Sequence, residues 1–193
     1  MDVSLVFKNR LMKIETDRLL IRPFVEADFD PFANMVADPD VMKYIADGKA
    51  LPRHKAFYYM KECIMLEKTL GYSRYAVLLK DSATFIGFCG YKPYLDNNDL
   101  GWRYAKEYWG KGYGTEAAMA VLKFGLEELK MEKIVCIAHP ENIGSIRIME
   151  KIGLVYKGKW ELPSGVIVER YENGKKKTYG QATISRSAHL KLG

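Results

Sequence analysis

The sequence lacks the features that mark several large classes of protein. It has no apolar run of eighteen or more residues, and a membrane-spanning helix is therefore not predicted. Its three cysteines, Cys63, Cys89 and Cys136, are widely spaced and form no C-x-x-C pair, which fits small buried thiols in a reduced, intracellular protein. His54 and His189 have no partners at metal-ligand spacing, so no metal site is predicted either.

The signatures of covalent catalysis are also missing. There is no G-x-S-x-G sequence and no Cys/His pairing, so a covalent nucleophile is not expected. The 193 residues contain no internal repeat, low-complexity stretch or linker, which predicts a single domain with its core at about residues 14–186. Residues 1–13 carry positive charges but no apolar segment followed by small residues. We interpret them as a leader or an added strand rather than a signal peptide, in a cytoplasmic protein.

The chain carries a surplus of positive charge. Lys and Arg number 30 against 24 Asp and Glu, which gives a formal net charge of +6. Such a surplus suits an anionic ligand or partner, including a phosphorylated cofactor, RNA or a ribosome. A modest solvated surplus is the alternative, because part of the charge comes from the run Lys175, Lys176 and Lys177. The charge permits these partners without choosing among them.

Hydrophobic periodicity predicts strands and helices in both halves of the chain. In the first half we expect a strand at residues 18–23, helices at 28–37 and 53–70, and a hairpin of strands at 72–79 and 84–91. Gly71 is expected to end the long helix as a left-handed cap. A turn at residues 96–98 then leads into a strand at 99–104. This half is predicted to be a helical insertion followed by an antiparallel meander.

In the second half, the sequence predicts helices and buried strands rather than a meander. Apolar residues at helical spacing follow residue 114, and residues 133–138 form a nearly continuous apolar run that is typical of a buried strand in a parallel pair. Asn142 is expected to cap a further helix that ends at Gly153. Strands are predicted at residues 154–156 and 166–168, with a final strand at 178–185. The pattern as a whole indicates an α/β domain.

A glycine-rich stretch at residues 108–118 separates these halves. Glycines alternate with larger residues, a strand precedes them and a helix follows them, which is an arrangement that can hold a phosphate on free helical N–H groups. The spacing G-x-G-x-G, with Lys111 between glycines, differs from both the dinucleotide turn and the nucleotide-triphosphate loop. From the glycines alone, a plain tight turn is an equally good interpretation.

Three separate blocks resemble one known family. Residues 16–23 (TDRLLIRP), 109–117 (WGKGYGTEA) and 139–153 (HPENIGSIRIMEKIG) are similar to the opening strand, cofactor loop and second cofactor-side helix of GNAT-type N-acetyltransferases. The resemblance is to the branch that includes the ribosomal-protein N-terminal acetyltransferases. It covers about residues 16–168 and carries the three blocks in the family's order.

The resemblance implies a GNAT fold, a mixed and mostly antiparallel sheet with a central splay and helices on both faces. It also implies acetyl-CoA as a co-substrate and no metal. Two neighbouring strands would separate after Tyr104, the pantetheine arm would enter the gap as an added strand does, and the pyrophosphate would lie on the N–H groups of residues 110–115. The cofactor-binding residues so implied are Trp102, Arg103, Tyr104, Trp109, Gly110, Lys111, Gly112, Tyr113, Gly114, Thr115, Asn142 and Arg147.

Two carboxylates are candidates for the general base. Asp99 is the first choice because the family often carries an acidic residue just before this strand, although Asp is also common at the ends of turns. Glu141 is the weaker candidate and could be a solvated acid in the first turn of a helix. A backbone N–H near Arg103 is the expected oxyanion donor.

The acid that protonates the departing thiolate is harder to assign. Many family members use a tyrosine in the third block, and Met149 occupies that position here. Ser145, one turn earlier, is the expected substitute, with Asn142 beside it in the same block. The alternative for Ser145 is a capping role at the start of the helix.

The predicted function is transfer of an acetyl group from acetyl-CoA to a primary amine by direct attack in a ternary complex. The acceptor would be a protein N-terminal α-amine or a small-molecule amine, and the protein a monomer or homodimer. A non-catalytic acyl-CoA-binding or ribosome- or RNA-associated module with the same fold is the alternative.

Overall fold

A single eight-stranded sheet organises the chain, of which the computed structural model describes residues 12–94 and 97–174. The strand order is β1-β2-β3-β4-β5-β6-β8-β7, and within the described residues β5 and β6 are the one parallel pair. The strands are β1 (Ile14–Glu15), β2 (Leu19–Arg22), β3 (Arg74–Leu79), β4 (Phe85–Tyr94), β5 (Asn97–Tyr104), β6 (Ile134–Ala138), β7 (Leu154–Glu161) and β8 (Ile167–Asn173). The helices are α1 (Phe29–Ala37), α2 (Pro39–Met42), α3 (Arg53–Leu70), α4 (Tyr113–Glu127) and α5 (Ile143–Lys151).

Helices cover both faces of the sheet, as the sequence predicts. Strand β3 shows the division, because its alternate side chains enter two different cores. Tyr75 and Val77 pack in the core that α4 contributes to, whereas Ala76 and Leu78 pack in the core of α1 and α3. The predicted caps are also confirmed, since Gly71 has φ 78° after α3 and Gly153 has φ 82° after α5.

Helix α4 packs closely against β4 where Tyr91 meets Gly125. Tyr91 is fully buried, and its hydroxyl donates to the carbonyl oxygen of Val121 at 2.9 Å. A Cβ at Gly125 would lie 2.1 Å from that hydroxyl oxygen. Gly125 is therefore required by packing on the apolar face that the sequence assigns to this helix.

A gap opens between β5 and β6. The parallel ladder joins Asn98 to Ile134 and Asp99 to Val135, and then ends. Beyond it, β6 pairs with β8 on its other side up to Ala138. The predicted splay is present, but the strands separate directly after Asp99 rather than after Tyr104. The whole second half of β5 therefore borders the gap.

The predicted turn at residues 96–98 is wrong for the part that the structure describes. Asn97 and Asn98 belong to β5 and pair with Tyr94 and Pro93 of β4. The Asn98 side chain accepts from the Tyr72 hydroxyl at 3.0 Å, so its polar group is satisfied inside the sheet. Residues 1–11 of the predicted leader at 1–13, and the predicted strand at 178–185, lie outside the described residues.

Candidate active site

The loop before α4 presents a run of free backbone donors. Gly110 and Gly112 have φ of 71° and 84°, a left-handed conformation that glycine adopts at little cost. The first intrahelical bond of α4 runs from Glu116 N to Gly112 O at 3.1 Å. Within the described residues, the six N–H groups of residues 110–115 have no hydrogen-bond acceptor. Unpaired donors at the positive end of a 15-residue helix favour an anion there.

Gly114 has a different role from the two glycines before it. It lies inside α4, where a Cβ would be 2.8 Å from Ile148 Cδ1 and 3.2 Å from Tyr104 Cε2. The end of β5, the start of α4 and the middle of α5 therefore meet at Gly114. The structure brings the second and third sequence blocks into direct contact at this point.

The first block is tied to the same helix by a carboxylate. Glu116 accepts from the Thr16 hydroxyl at 2.5 Å, from the Arg18 N–H at 3.0 Å and from Arg18 Nε at 2.7 Å. Arg18 also donates to the Lys111 carbonyl at 3.1 Å and lies over the Tyr113 ring at 4.5 Å. Partial burial opposes ionisation of Glu116, but these donors outweigh it and lower the pKa of the carboxyl group. The cluster anchors the glycine loop to the edge of the sheet.

Sequence reasoning missed this anchoring role. Thr16, Arg18 and Glu116 stand in two of the quoted blocks, but nothing in local periodicity joins residues 98 positions apart. The family resemblance was the only sequence signal for these residues. It assigned both blocks to one family but did not predict that they contact each other.

Backbone groups of β5 line one side of the gap. The Cys136 thiol lies 2.8 Å from the Leu100 carbonyl oxygen, and the Trp109 indole N–H donates to the Tyr104 carbonyl at 2.8 Å. Both carbonyls therefore face away from β4. Because backbone groups alternate along a strand, the N–H and C=O of Trp102 point into the gap as well.

Arg103 does not share this orientation. Its carbonyl oxygen lies against Gly87 of β4, where a Cβ would come within 2.2 Å of it. The structure thus directs the backbone of Trp102 and the N–H of Tyr104 to the gap and the backbone of Arg103 to the neighbouring strand. The expected donor near Arg103 is better matched by these two flanking N–H groups.

The remaining loop side chains lie at the surface of the site. Trp109 is 47% exposed while its indole N–H covers the end of β5. Lys111 Nζ lies 5.5 Å from the centroid of the Tyr108 ring. Arg147 is exposed on α5, adjacent to Ile148, which touches the start of α4. Within the described residues Arg147 makes no ion pair, so it is free to meet a ligand.

Asp99 is held by a buried arginine. Arg74 extends over Gly101 and binds the Asp99 carboxylate, and it also donates to the carbonyl oxygens of Gly90 and Asp99. Burial disfavours the guanidinium charge, but the Asp99 carboxylate outweighs it and raises the pKa of Arg74. Asp99 therefore lies at the closed end of the gap, where Arg74 holds its carboxylate. Sequence reasoning missed Arg74 altogether.

At the start of α5, the Asn142 side chain caps the helix and the Ser145 side chain does not. The Asn142 side-chain oxygen accepts the Ser145 N–H at 3.1 Å, which confirms Asn142 as the helix cap. The Ser145 hydroxyl makes no hydrogen bond within the described residues. The capping alternative for the Ser145 side chain is therefore not needed, and its hydroxyl is available for proton transfer.

A short segment connects the two sides at the open end of the gap. Asp40 on α2 pairs with Lys106, which follows β5, at 2.5 Å. Tyr44, four residues on, stacks on His139, which follows β6, with ring centroids 5.4 Å apart. We call residues 40–44 the strap. The strap bridges the residues that follow β5 and β6.

These features together fit a long ligand with an anionic end. The six N–H groups at the start of α4 suit a pyrophosphate, and the free backbone groups of Trp102 suit an extended chain carrying amides. Within residues 12–94 and 97–174, no group of three or more potential ligands is arranged for a metal ion. None of the described helices is long and apolar enough to cross a membrane.

Comparison with known proteins agrees with this geometry. The acetyltransferase (GNAT) domain model matches residues 18–155. YnaD of Bacillus subtilis, named as an uncharacterized N-acetyltransferase, is 35% identical over 159 residues, which are 80% of this chain and 90% of the relative. A GNAT acetyltransferase structure from Bacillus anthracis is 31% identical with a TM-score of 0.74, covering 84% of this chain and 98% of that one.

A more distant structure shares the fold alone. RimL, a ribosomal-protein α-N-acetyltransferase solved in complex with coenzyme A, is 13% identical with a TM-score of 0.72, over 83% of this chain and 97% of that one. The family model spans most of the chain and includes the strand, the loop and both helices that build the site. The chain therefore belongs to the GNAT family of acetyltransferases and is an acetyltransferase enzyme.

Proposed function

We propose that this enzyme acetylates a primary amine by direct attack in a ternary complex with acetyl-CoA, and that a protein N-terminal α-amine is the preferred acceptor. The run of six unpartnered N–H groups beside the β5–β6 gap carries the proposal. Similarity of fold to ribosomal-protein acetyltransferases favours the branch that the sequence suggests, in a cytoplasmic protein that could contact the ribosome. A small-molecule amine is the second candidate acceptor.

Acetyl-CoA supplies an activated thioester when it is bound. The N–H groups of residues 110–115 would hold its pyrophosphate, and Trp102 would pair with the amides of its pantetheine arm. Arg147 and Lys111 are the cations placed to meet its phosphates. The N–H groups of Trp102 and Tyr104 that face the gap are the candidates for stabilising negative charge on the acetyl oxygen, because they need no rearrangement to donate.

The amine must also lose a proton, and the thiolate must gain one. An α-amine has a pKa of about 7.7–8.0, so a weak base suffices, and a water can relay the proton. Asp99 is the proposed base, and its carboxylate is fixed in direction by Arg74. The free Ser145 hydroxyl is the proposed donor to the thiolate, positioned by the Asn142 cap. Glu141, which is exposed, is the second choice of base.

A comparison of amines tests the acceptor class. The protein is mixed with acetyl-CoA and one amine near pH 7.5, and free thiol is followed over time. The panel contains a peptide with a free N-terminus, the same peptide with a blocked N-terminus and a lysine side chain, spermidine and an aminoglycoside. We expect the free peptide to react fastest, since roughly a hundredfold more of an α-amine than of a lysine amine is neutral at this pH.

The controls separate two kinds of failure. Rapid turnover of spermidine or the aminoglycoside, with neither peptide reacting, would show that the acceptor is a small molecule. If no amine causes thiol release although CoA binds tightly, the result would favour the alternative, a non-catalytic acyl-CoA-binding module. Within the described residues, no contact or cluster favours that module at present.

A further inference from the structure

We propose that the Arg103 side chain binds a carboxylate of the acceptor, so that the enzyme selects amines that carry a carboxylate near the reacting nitrogen. The inference rests on the proposed function and names the substrate class of the same site. The expectation for Arg103 concerned its backbone, and its guanidinium has no assigned role in holding CoA.

The guanidinium lies on the acceptor side of the sheet. Its Cζ is 5.3 Å from the centroid of the Phe88 ring, and Phe88 packs with Tyr59 in the core of α1 and α3. The glycine loop and Ser145 belong to α4 and α5, which cover the opposite face. Arg103 is therefore separated by the sheet from the site proposed for the pyrophosphate.

Arg103 also lies where the helical layer ends. The buried residues of the α1–α3 core include side chains of β3 and β4 but none of β5 or β6. A strip of β5 and β6 on this face, next to the gap, is thus left outside that core. Arg103 is half-buried at its rim, and the neighbouring Trp102 and Tyr104 present their N–H groups to the gap. An amine reaching the gap from this face passes the guanidinium.

Several other cations on this face have carboxylate partners. They include Arg22 with Asp28, Arg74 with Asp99, and Lys92 with Glu62. Within the described residues no carboxylate pairs with Arg103, and its Nε is buried without a hydrogen-bond partner. Burial lowers the pKa of Arg103, which reflects the cost of keeping an unpaired charge there.

A carboxylate is the anion that we assign to this guanidinium. The planar guanidinium offers parallel N–H donors that fit two carboxylate oxygens at once, and such charge-assisted pairs are strongest where water is partly excluded. The carboxylate has two potential sources, the acidic side chain of an N-terminal peptide or the α-carboxylate of a free amino acid. Both present the same chemistry to Arg103.

Binding of acetylated products provides the test, because it needs no turnover. Dissociation constants are measured in the presence of CoA for matched pairs: an N-acetyl peptide with Glu or Gln at its second position, and N-acetylalanine or its amide. N-acetyl-phosphoethanolamine is the phosphate probe. We expect the carboxylate member of at least one pair to bind about ten to a hundred times more tightly, the range for charge-assisted hydrogen bonds.

Variants assign the preference to Arg103. Arg103→Met should remove it, Arg103→Lys should keep part of it, and Arg53→Met should keep all of it. Arg53 is the matched control because its guanidinium also lies over a phenylalanine ring, Phe29 at 4.6 Å, but is already paired with Asp30. Unchanged CoA binding shows that each variant is folded.

Three results would overturn the proposal. These are equal binding of both members in both pairs, a preference that survives in Arg103→Met, or tighter binding of the phosphate probe than of either carboxylate. The thiol-release assay reports on the proposed function separately, so a failure of catalysis and a failure of carboxylate recognition give different patterns.

Discussion

Replacing Gly112 by glutamate should reduce CoA affinity by roughly a hundredfold or more and abolish acetyl transfer. Two effects combine. Gly112 has φ 84°, which costs an L-residue about 1–2 kcal/mol, and a carboxylate at the start of α4 would repel the pyrophosphate or occupy its donors. Losing several charge-assisted hydrogen bonds of about 1.5–3 kcal/mol each accounts for the size of the expected effect. Calorimetric titration with CoA gives the affinity.

Gly165→Glu is the matched control for Gly112→Glu. Gly165 has φ 81° in the β7–β8 turn, and a Cβ there would have no heavy atom within 4 Å, so the strain and the added charge are the same but no anion site is near. It should lose comparable stability and keep its affinity for CoA. Equal losses of affinity in both variants would mean that backbone strain, rather than anion binding, explains the result.

The second large effect is expected at the Asp99–Arg74 ion pair. If Asp99 is the base, Asp99→Asn should lower kcat by about 10²-fold or more. Arg74→Met should lower the free energy of unfolding by about 3–5 kcal/mol, because it leaves a partly buried carboxylate unpaired. The double variant Arg74→Met/Asp99→Leu should recover much of that stability without recovering activity. Denaturant unfolding and initial rates across pH separate the two roles.

Glu62→Gln is the control for Asp99, since it breaks another ion pair on the same face, between Glu62 of α3 and Lys92 of β4 at 2.6 Å. It should change kcat only a few-fold. A similarly small change in Asp99→Asn, together with lost stability, would assign Asp99 a structural role and leave Glu141 or solvent as the base.

Local sequence patterns predict several helix ends, one strand and the glycine loop. Gly71, Gly153, the Asn142 cap and the parallel strand β6 follow from signals within a few residues, and the structure has them all. The alternation of glycines before α4 is equally local, since positive φ and free helical N–H groups are properties of adjacent residues.

Other features of the site depend on contacts between residues far apart in the sequence, which local patterns do not predict. Arg74 and Asp99 are 25 residues apart, and their pairing depends on Gly90 and Gly101 leaving room above the sheet, which periodicity does not encode. The position of the splay depends on where the β5–β6 ladder ends, and β6 continues beyond that point paired only with β8 among the described strands. Likewise, the sequence does not show that Arg103 lacks a carboxylate partner among the described residues, because this depends on the three-dimensional positions of the neighbouring carboxylates.

Amide hydrogen exchange, followed residue by residue with and without CoA, tests most directly whether the start of α4 binds the pyrophosphate. Among the residues that the structure describes, none accepts from the N–H groups of residues 110–115, so these groups should exchange fast in the free enzyme and become protected when CoA binds. Pantetheine, which lacks the pyrophosphate, should leave these six groups unchanged. Full occupancy by CoA without protection of residues 110–115 would contradict the account.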